Sequence, residues 1–187
     1  NCYLVGTFFF IFNYGNGKTM SAWGNTDGFL AKYNKNGACL WVNRFGSGSY
    51  EYANGVDCSP NGTVYVTGTF TNQCQFLSQT SPLSNTCVQA SGSNYDIFLA
   101  KYNSSGVLSW VRSAGTGQWA YSWDVSVDDS ANAYITGYYY GTVTFDNKIW
   151  QGSLCGIGTI SPTVSIALSS GTNSYHGFIA KFSSIGV

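Results

Sequence analysis

Charge is what this sequence has least of. Asp, Glu, Lys and Arg make up 9% of its 187 residues, against roughly 25% in ordinary soluble domains. Eight basic residues balance eight acidic ones, so no field steers the chain toward nucleic acid or acidic lipid. There is one histidine, which leaves no Ser-His-Asp set and no His-Glu metal motif. The six cysteines lack the short paired spacings of a zinc site, and a single His cannot complete a mixed one. No cofactor, metal or catalytic residue is expected, and the chain reads as a non-enzyme. No run approaches the roughly 18 apolar residues that span a membrane; Phe8–Phe12 is far too short. No stretch carries the 3.6-residue period of an amphipathic helix.

What is present is aromatic and small. Aromatic residues reach 17%, and there are 23 glycines. A neutral surface rich in Gly, Asn, Ser, Thr and Tyr points to an extracellular or cell-surface location, and six cysteines agree with an oxidising one. With no initiator Met and no signal peptide, the chain reads as a mature secreted segment or an excerpt of one.

The chain repeats itself. Asp27–Tyr33 reads Asp-Gly-Phe-Leu-Ala-Lys-Tyr, Asp96–Tyr102 reads Asp-Ile-Phe-Leu-Ala-Lys-Tyr, and His176–Phe182 reads His-Gly-Phe-Ile-Ala-Lys-Phe. Each alternates Phe and Ala on one face with Leu or Ile and Lys on the other. At an offset of 69, residues 27–70 align with 96–139 without a gap, and 17 of 44 positions are identical. That self-similarity marks stacked supersecondary units. Turns at Asn36-Gly37 and Ser105-Gly106 follow the repeated strand, then Trp41-Val42 and Trp110-Val111, then Gly46-x-Gly48 and Gly115-x-Gly117. Tyr52 and Tyr121, Val56 and Val125 come next, and Tyr65-Val66-Thr67-Gly68 and Tyr134-Ile135-Thr136-Gly137 close the unit. Turn residues every eight to twelve positions predict four short strands per unit. Cys2–Phe8 joins the same register at Val64–Phe70, and Tyr14, Phe76 and Phe145 match further on.

These motifs resemble the SBBP-type β-propeller repeat of extracellular proteins. The segment Val56-Asp57-Cys58-Ser59-Pro60-Asn61-Gly62 keeps most of another strand of that repeat, and 125–132 keeps a looser version. The resemblance implies four-stranded antiparallel blades and no particular activity. The expected fold is therefore all-β and open. It has one full blade (54–121) between two partial ones (1–53 and 122–187), the last with a long insertion at 140–175. With strands named A to D from the axis outward, the chain runs B-C-D, A-B-C-D, A-B-C, too little to close a ring of at least about four blades. Flanking repeats of a longer protein would complete it, or neighbouring copies self-associating through open strand edges into a filament. The connections that vary in length lie at one place in each unit and are expected to project from one face, a frequent binding face.

Six cysteines allow fifteen pairings. Cys74 and Cys87, about a dozen residues apart in one insertion, suit a disulfide; Cys39 and Cys58 are a second candidate pair across neighbouring blades. Cys2 and Cys155 are left for cysteines elsewhere or in another subunit. Asn61 and Asn103 head N-glycosylation sequons at predicted turns. Asp128-Asp129 reads as a turn in preference to a cation site. Trp41 and Trp110 recur in register and should be inter-sheet core. Trp23, Trp119, Trp123, Trp150 and the run around Tyr139 do not recur, and are candidate binding-face aromatics for a glycan or a partner protein. The expectation is a structural or adhesive extracellular module, with a lectin-like glycan-binding propeller as the alternative.

Overall fold

A computed structural model describes residues 1–77, 86–115, 117–146, 149–150, 159–160, 165–169, 171 and 174–186. The three copies of the repeated strand are β4 (Asp27–Tyr33), β10 (Asp96–Tyr102) and β18 (Tyr175–Phe182), and each lies in a different sheet. In the first sheet β4 sits between β1 (Cys2–Phe8) and β5 (Cys39–Gly46). The second orders β6 (Glu51–Cys58), β7 (Val64–Phe70), β10 and β11 (Leu108–Gly115). The third orders β12 (Ala120–Val127), β13 (Ala133–Tyr140) and β18. All these neighbours are antiparallel, and no helix occurs among the described residues. The fold is an open, all-β, propeller-like repeat.

Alternation makes each sheet two-sided, and the sheets stack through those sides. Leu30 turns toward the second sheet, into a core with Phe45, Val64, Val66, Phe98 and Val111. Leu99 turns toward the third, into a core with Ile97, Ala133, Ile135 and Phe178. Each of these large side chains contributes roughly 1.5–3 kcal/mol on burial. Polar locks reinforce the stacking and explain the other repeated residues. The Lys32 ammonium and the Trp41 indole N–H both donate to the Ser104 carbonyl, at 2.7 and 3.3 Å, and the Asn43 amide donates to Gly106 O at 2.7 Å. One interface on, Lys101 donates to Ser184 O and Arg112 to Gly186 O, at 2.5 and 2.9 Å. In both cases the turn glycine lies against the preceding sheet's Trp. A Cβ on Gly106 would meet the Trp41 ring at 2.8 Å, and one on Gly186 the Trp110 ring at 3.0 Å.

Among the described residues, two of the three variable connections do not project from a face. Instead they leave their own sheet and extend the outer edge of the preceding one. The hairpin β8 (Gln73–Phe76) and β9 (Thr86–Gln89) adds β8 to β5. Likewise β14 (Thr142–Asp146), paired with β17 (Ser165–Ser169), adds to β11. Two short strands, β15 (Ile149–Trp150) and β16 (Thr159–Ile160), continue beyond β9. The sheets therefore grow to seven and six strands, where the repeat alone predicts three and four. A third hairpin, β2 (Ile11–Gly15) with β3 (Lys18–Ser21), packs Phe12, Tyr14 and Met20 on Phe8 and Phe29.

The end faces of the stack differ from its interior. Ile179, at the repeat position of Leu30 (0% exposed) and Leu99 (1%), is 75% exposed. Leu4, at the position of Val66 (0%) and Ile135 (1%), is 46% exposed.

Two disulfide expectations fail on strand geometry. Cys74 stands opposite Val88, and Cys87 opposite Gln75. Side chains alternate along a strand, so the two thiols point to opposite faces of the hairpin. Cys74 is free and buried; Cys87 is disulfide-bonded, but to none of the four free cysteines Cys2, Cys39, Cys58 and Cys74. Cys39 shares the far face of the first sheet with Tyr33 and Phe29, while Cys58 is exposed at the end of β6 in the second sheet. The first sheet itself separates them. Cys155 lies outside the described residues.

A candidate binding surface of stacked aromatic rings

Eight aromatic side chains run in unbroken contact across the second and third sheets. Tyr52 on β6 meets Tyr95 at 6.0 Å between ring centroids, and Tyr95 meets Trp119 and Tyr121 at 5.6 and 5.2 Å. Tyr121 on β12 stacks on Tyr138 of β13 at 4.9 Å. Tyr138 in turn touches Trp123 and Tyr175, at 5.8 and 5.4 Å, and Tyr175 touches Tyr140 at 5.2 Å. Trp123 is 63% exposed, Tyr175 57% and Trp119 38%. The remaining five are half-buried, supporting the exposed rings from below.

Register builds the strip. Tyr121 pairs with Tyr138 across the β12–β13 ladder, and Tyr140 with Tyr175 across β13–β18. Side chains directly opposite on a strand pair share one face. Trp123 falls at a β-bulge, between Ser122 and Asp124, and a bulge re-aims the side chain it inserts. The matching bulge residue of the second sheet is Asn54, which turns inward and donates to the Ser122 carbonyl at 2.7 Å. Two backbone bonds hold the loops of the strip: Ala120 N–H to Tyr95 O at 2.9 Å, and Tyr140 N–H to Trp119 O at 2.8 Å.

Three of the phenols are held in their neutral form. Burial, then a hydrogen bond with Tyr52, pushes Tyr95 up to about 12. Burial and the neighbouring phenols raise Tyr121 and Tyr138 as well. The strip therefore offers flat rings with hydroxyl edges, suited to stacking on sugar faces or apolar protein surface.

The anticipated site residues scatter. Trp119 and Trp123 lie in the strip. Trp23 does not: the Arg44 guanidinium covers it at 3.3 Å, and Arg44 also donates to Ser21 O and lies 3.7 Å from the Asp27 carboxylate. That group is a structural clamp around the buried Asp27, whose carboxyl burial raises above the usual range despite the Trp23 N–H and Arg44. Tyr139 is buried, against Phe178 at 6.5 Å, because odd and even members of the run 138–140 face opposite sides of β13. The side chain of Trp150 lies outside the described residues. Trp41 and Trp110 are inter-sheet packing residues, as their repetition suggested. Of the anticipated run, Tyr138 and Tyr140 lie in the strip; sequence reasoning missed Tyr52, Tyr95, Tyr121 and Tyr175 as site members. The recurrence of Tyr52 and Tyr121 was the one available signal.

The sequon residues Asn61 and Asn103 are exposed at turns. Their side-chain carbonyls accept backbone N–H groups: Thr63 at 3.0 Å for Asn61, and Ser105 and Val107 at 3.0 and 2.9 Å for Asn103. Asp128 is a turn residue too. It accepts the Ser130 and Asn132 N–H groups, the Asn132 amide and the Tyr134 hydroxyl, bonds that hold its carboxyl below the usual range. Among the described residues no cluster of three His, Cys, Asp or Glu side chains has a metal-binding arrangement. Nor is any helix long and apolar enough to cross a membrane.

No protein-family profile matches the chain. It is 31% identical, over 137 residues, to an uncharacterized WD repeat-containing protein of Acanthamoeba polyphaga mimivirus, a match covering 70% of this chain and 10% of that protein. The chain thus spans about a tenth of that relative's length. With three sheets stacked through repeated strands, this likeness suggests a β-propeller-type repeat.

Proposed function

We propose that the chain is a non-enzymatic structural and adhesive module of a longer extracellular protein built from SBBP-type blades, gripping its partner through the aromatic strip. The observation that carries this reading is the unbroken run of eight rings with Trp119, Trp123 and Tyr175 open to solvent. Exposed Trp and Tyr are enriched where proteins bind, since they offer large contact area at small entropic cost. The low charge and the sequons at exposed turns support an extracellular setting. The test is adhesion of the protein to extracellular matrix and cell surfaces, with Trp123→Ala combined with Tyr175→Ala. Adhesion should fall at least tenfold at unchanged thermal stability. Adhesion unaffected by the double variant contradicts the assignment, as does turnover of any substrate.

A glycan is the second reading, favoured by the uncharged rings edged with hydroxyl groups. Sugars stack on such faces and hydrogen-bond to their rims. A glycan array separates the two: signal lost in Trp123→Ala supports a lectin, and no signal anywhere on the array removes it.

A further inference from the structure

Three hairpins occupy the same place in the repeat, and two of them have found an outer strand. Gln75 and Phe76 of β8 pair with Gly46 and Phe45 at the end of β5. Thr144 and Phe145 of β14 pair with Gly115 and Ala114 at the end of β11. The sequence spacing is the same in both: 29 residues from Gly46 to Gln75 and 29 from Gly115 to Thr144. The hairpin β2–β3 is built alike. Its entry residue Phe10 has φ 58°, against 55° at Asn72 and 75° at Gly141. A phenylalanine rarely takes this left-handed conformation, so its recurrence marks a shared geometry. The Ala22 N–H donates to Phe10 O at 2.7 Å, as Ala90 N–H does to Asn72 O at 2.7 Å. Phe12, on the same strand face as Tyr14 (the counterpart of Phe76 and Phe145), stacks on Phe29 at 4.0 Å; Phe76 and Phe145 cover Phe98 and Phe178 at 5.2 Å each.

Yet among the described residues β2 pairs only with β3. Phe9, Phe10 and Ile11 are exposed beside it, and so is Leu4, whose counterparts are buried at the two filled interfaces. In a second copy of this chain the two outer strands at the matching place, β5 and β11, already carry β8 and β14, and the third sheet ends at β18 with no such outer strand among the described residues.

We propose that β2–β3 is a strap for a preceding blade of the same polypeptide, adding to that blade's outer strand. Asn13 pairs with a glycine 29 residues upstream of it, and Tyr14 with the small or aromatic residue before that glycine, at the end of a Trp-Val strand. Each blade would then fasten the one before it, so the array is held by strand exchange at every step as well as by face-to-face packing. The proposal rests on the reading of the chain as a module of a longer protein.

The test is hydrogen exchange on the full polypeptide, comparing the amide of Asn13 with those of Gln75 and Thr144. Protection at Asn13 within about tenfold of the other two is expected, with Trp-Val and the glycine at the stated distance. If blades precede the chain and Asn13 nonetheless exchanges at least about a hundredfold faster than Gln75, the strap is overturned and the module reading stands. If no blade precedes it, the strap is overturned, and if none precedes or follows it, the module reading falls as well. Protection that vanishes on dilution overturns the strap in favour of self-association.

Discussion

Leu99 and Ile179 hold the same position of the same strand and meet opposite surroundings. Leu99 is sealed between the second and third sheets; Ile179, on the outer side of the third, lies in solvent. The polar locks divide the same way. Lys101 reaches the Ser184 carbonyl and packs over Tyr65, while Lys181 lies over Tyr134 at a similar 5.4 Å with its strand face exposed. A blade of this type is thus half of two interfaces, and its side chains are chosen for neighbours whether or not a neighbour is there. Stability here belongs to the contact between blades more than to any blade alone, the nearest-neighbour logic of repeat proteins.

The largest effect that sharpens the comparison comes from Glu51. It begins β6, wholly buried against the first sheet, with its carboxyl oxygens accepting the Ser47 N–H and hydroxyl at 3.0 and 2.7 Å. Ala120 stands at the matching position of the third sheet. Burial raises the Glu51 carboxyl from 4.5 to about 8, so the folded state holds a proton that the unfolded chain has lost. Stability is therefore full below about pH 4.5, falls as pH rises toward about 8, and levels off above. The slope is about 1.4 kcal/mol per pH unit, a loss of a few kcal/mol in all. Urea titrations across that range should show the fall. Glu51→Gln should remove most of it, leaving the same-signed contribution of Asp27, also raised by burial.

A smaller effect contrasts two turn glycines. Gly37 and Gly106 both have positive φ, 76° and 81°, but a Cβ on Gly37 meets nothing within 4 Å whereas one on Gly106 meets Trp41. Alanine at 37 should cost only the backbone strain, about 1 kcal/mol. At 106 it should cost about 1–3 kcal/mol more, for displacing the Trp41 ring. Equal losses by denaturant unfolding would mean that the turn of the second blade does not rest on the first.

The smallest contrast changes no stability at all. Cys2 and Cys58 are exposed and should react with a thiol reagent in the folded protein within minutes. Cys74 lies between the first two sheets, its thiol pushed well up by burial, and should label only on unfolding. Mass spectrometry of labelled peptides reads all three together.

The strands and their assignment to three sheets were legible because a period of two and a repeat of 69 are written in the residues themselves. The hairpins' destination was not. β8 joins β5 through backbone bonds between Gly46, Phe45, Gln75 and Phe76, and such bonds leave no residue signature. Register likewise decided which thiol faces which way on β8 and β9, where loop length alone made Cys74 and Cys87 look like partners. It decided too that Tyr138 and Tyr140 join the aromatic strip while Tyr139 enters the core. Non-recurrence found Trp119 and Trp123 but passed over tyrosines contributed by neighbouring strands, because the strip is assembled across two sheets.

The most direct test of the stacked-sheet account is the pair Leu99→Ala and Ile179→Ala in the 187-residue chain, compared by urea unfolding. The account predicts a loss of about 2–5 kcal/mol for the first, the cost of emptying a packed site, and no more than about 0.5 kcal/mol for the second. Comparable losses at the two positions would contradict it, since they would place both residues at equally filled interfaces.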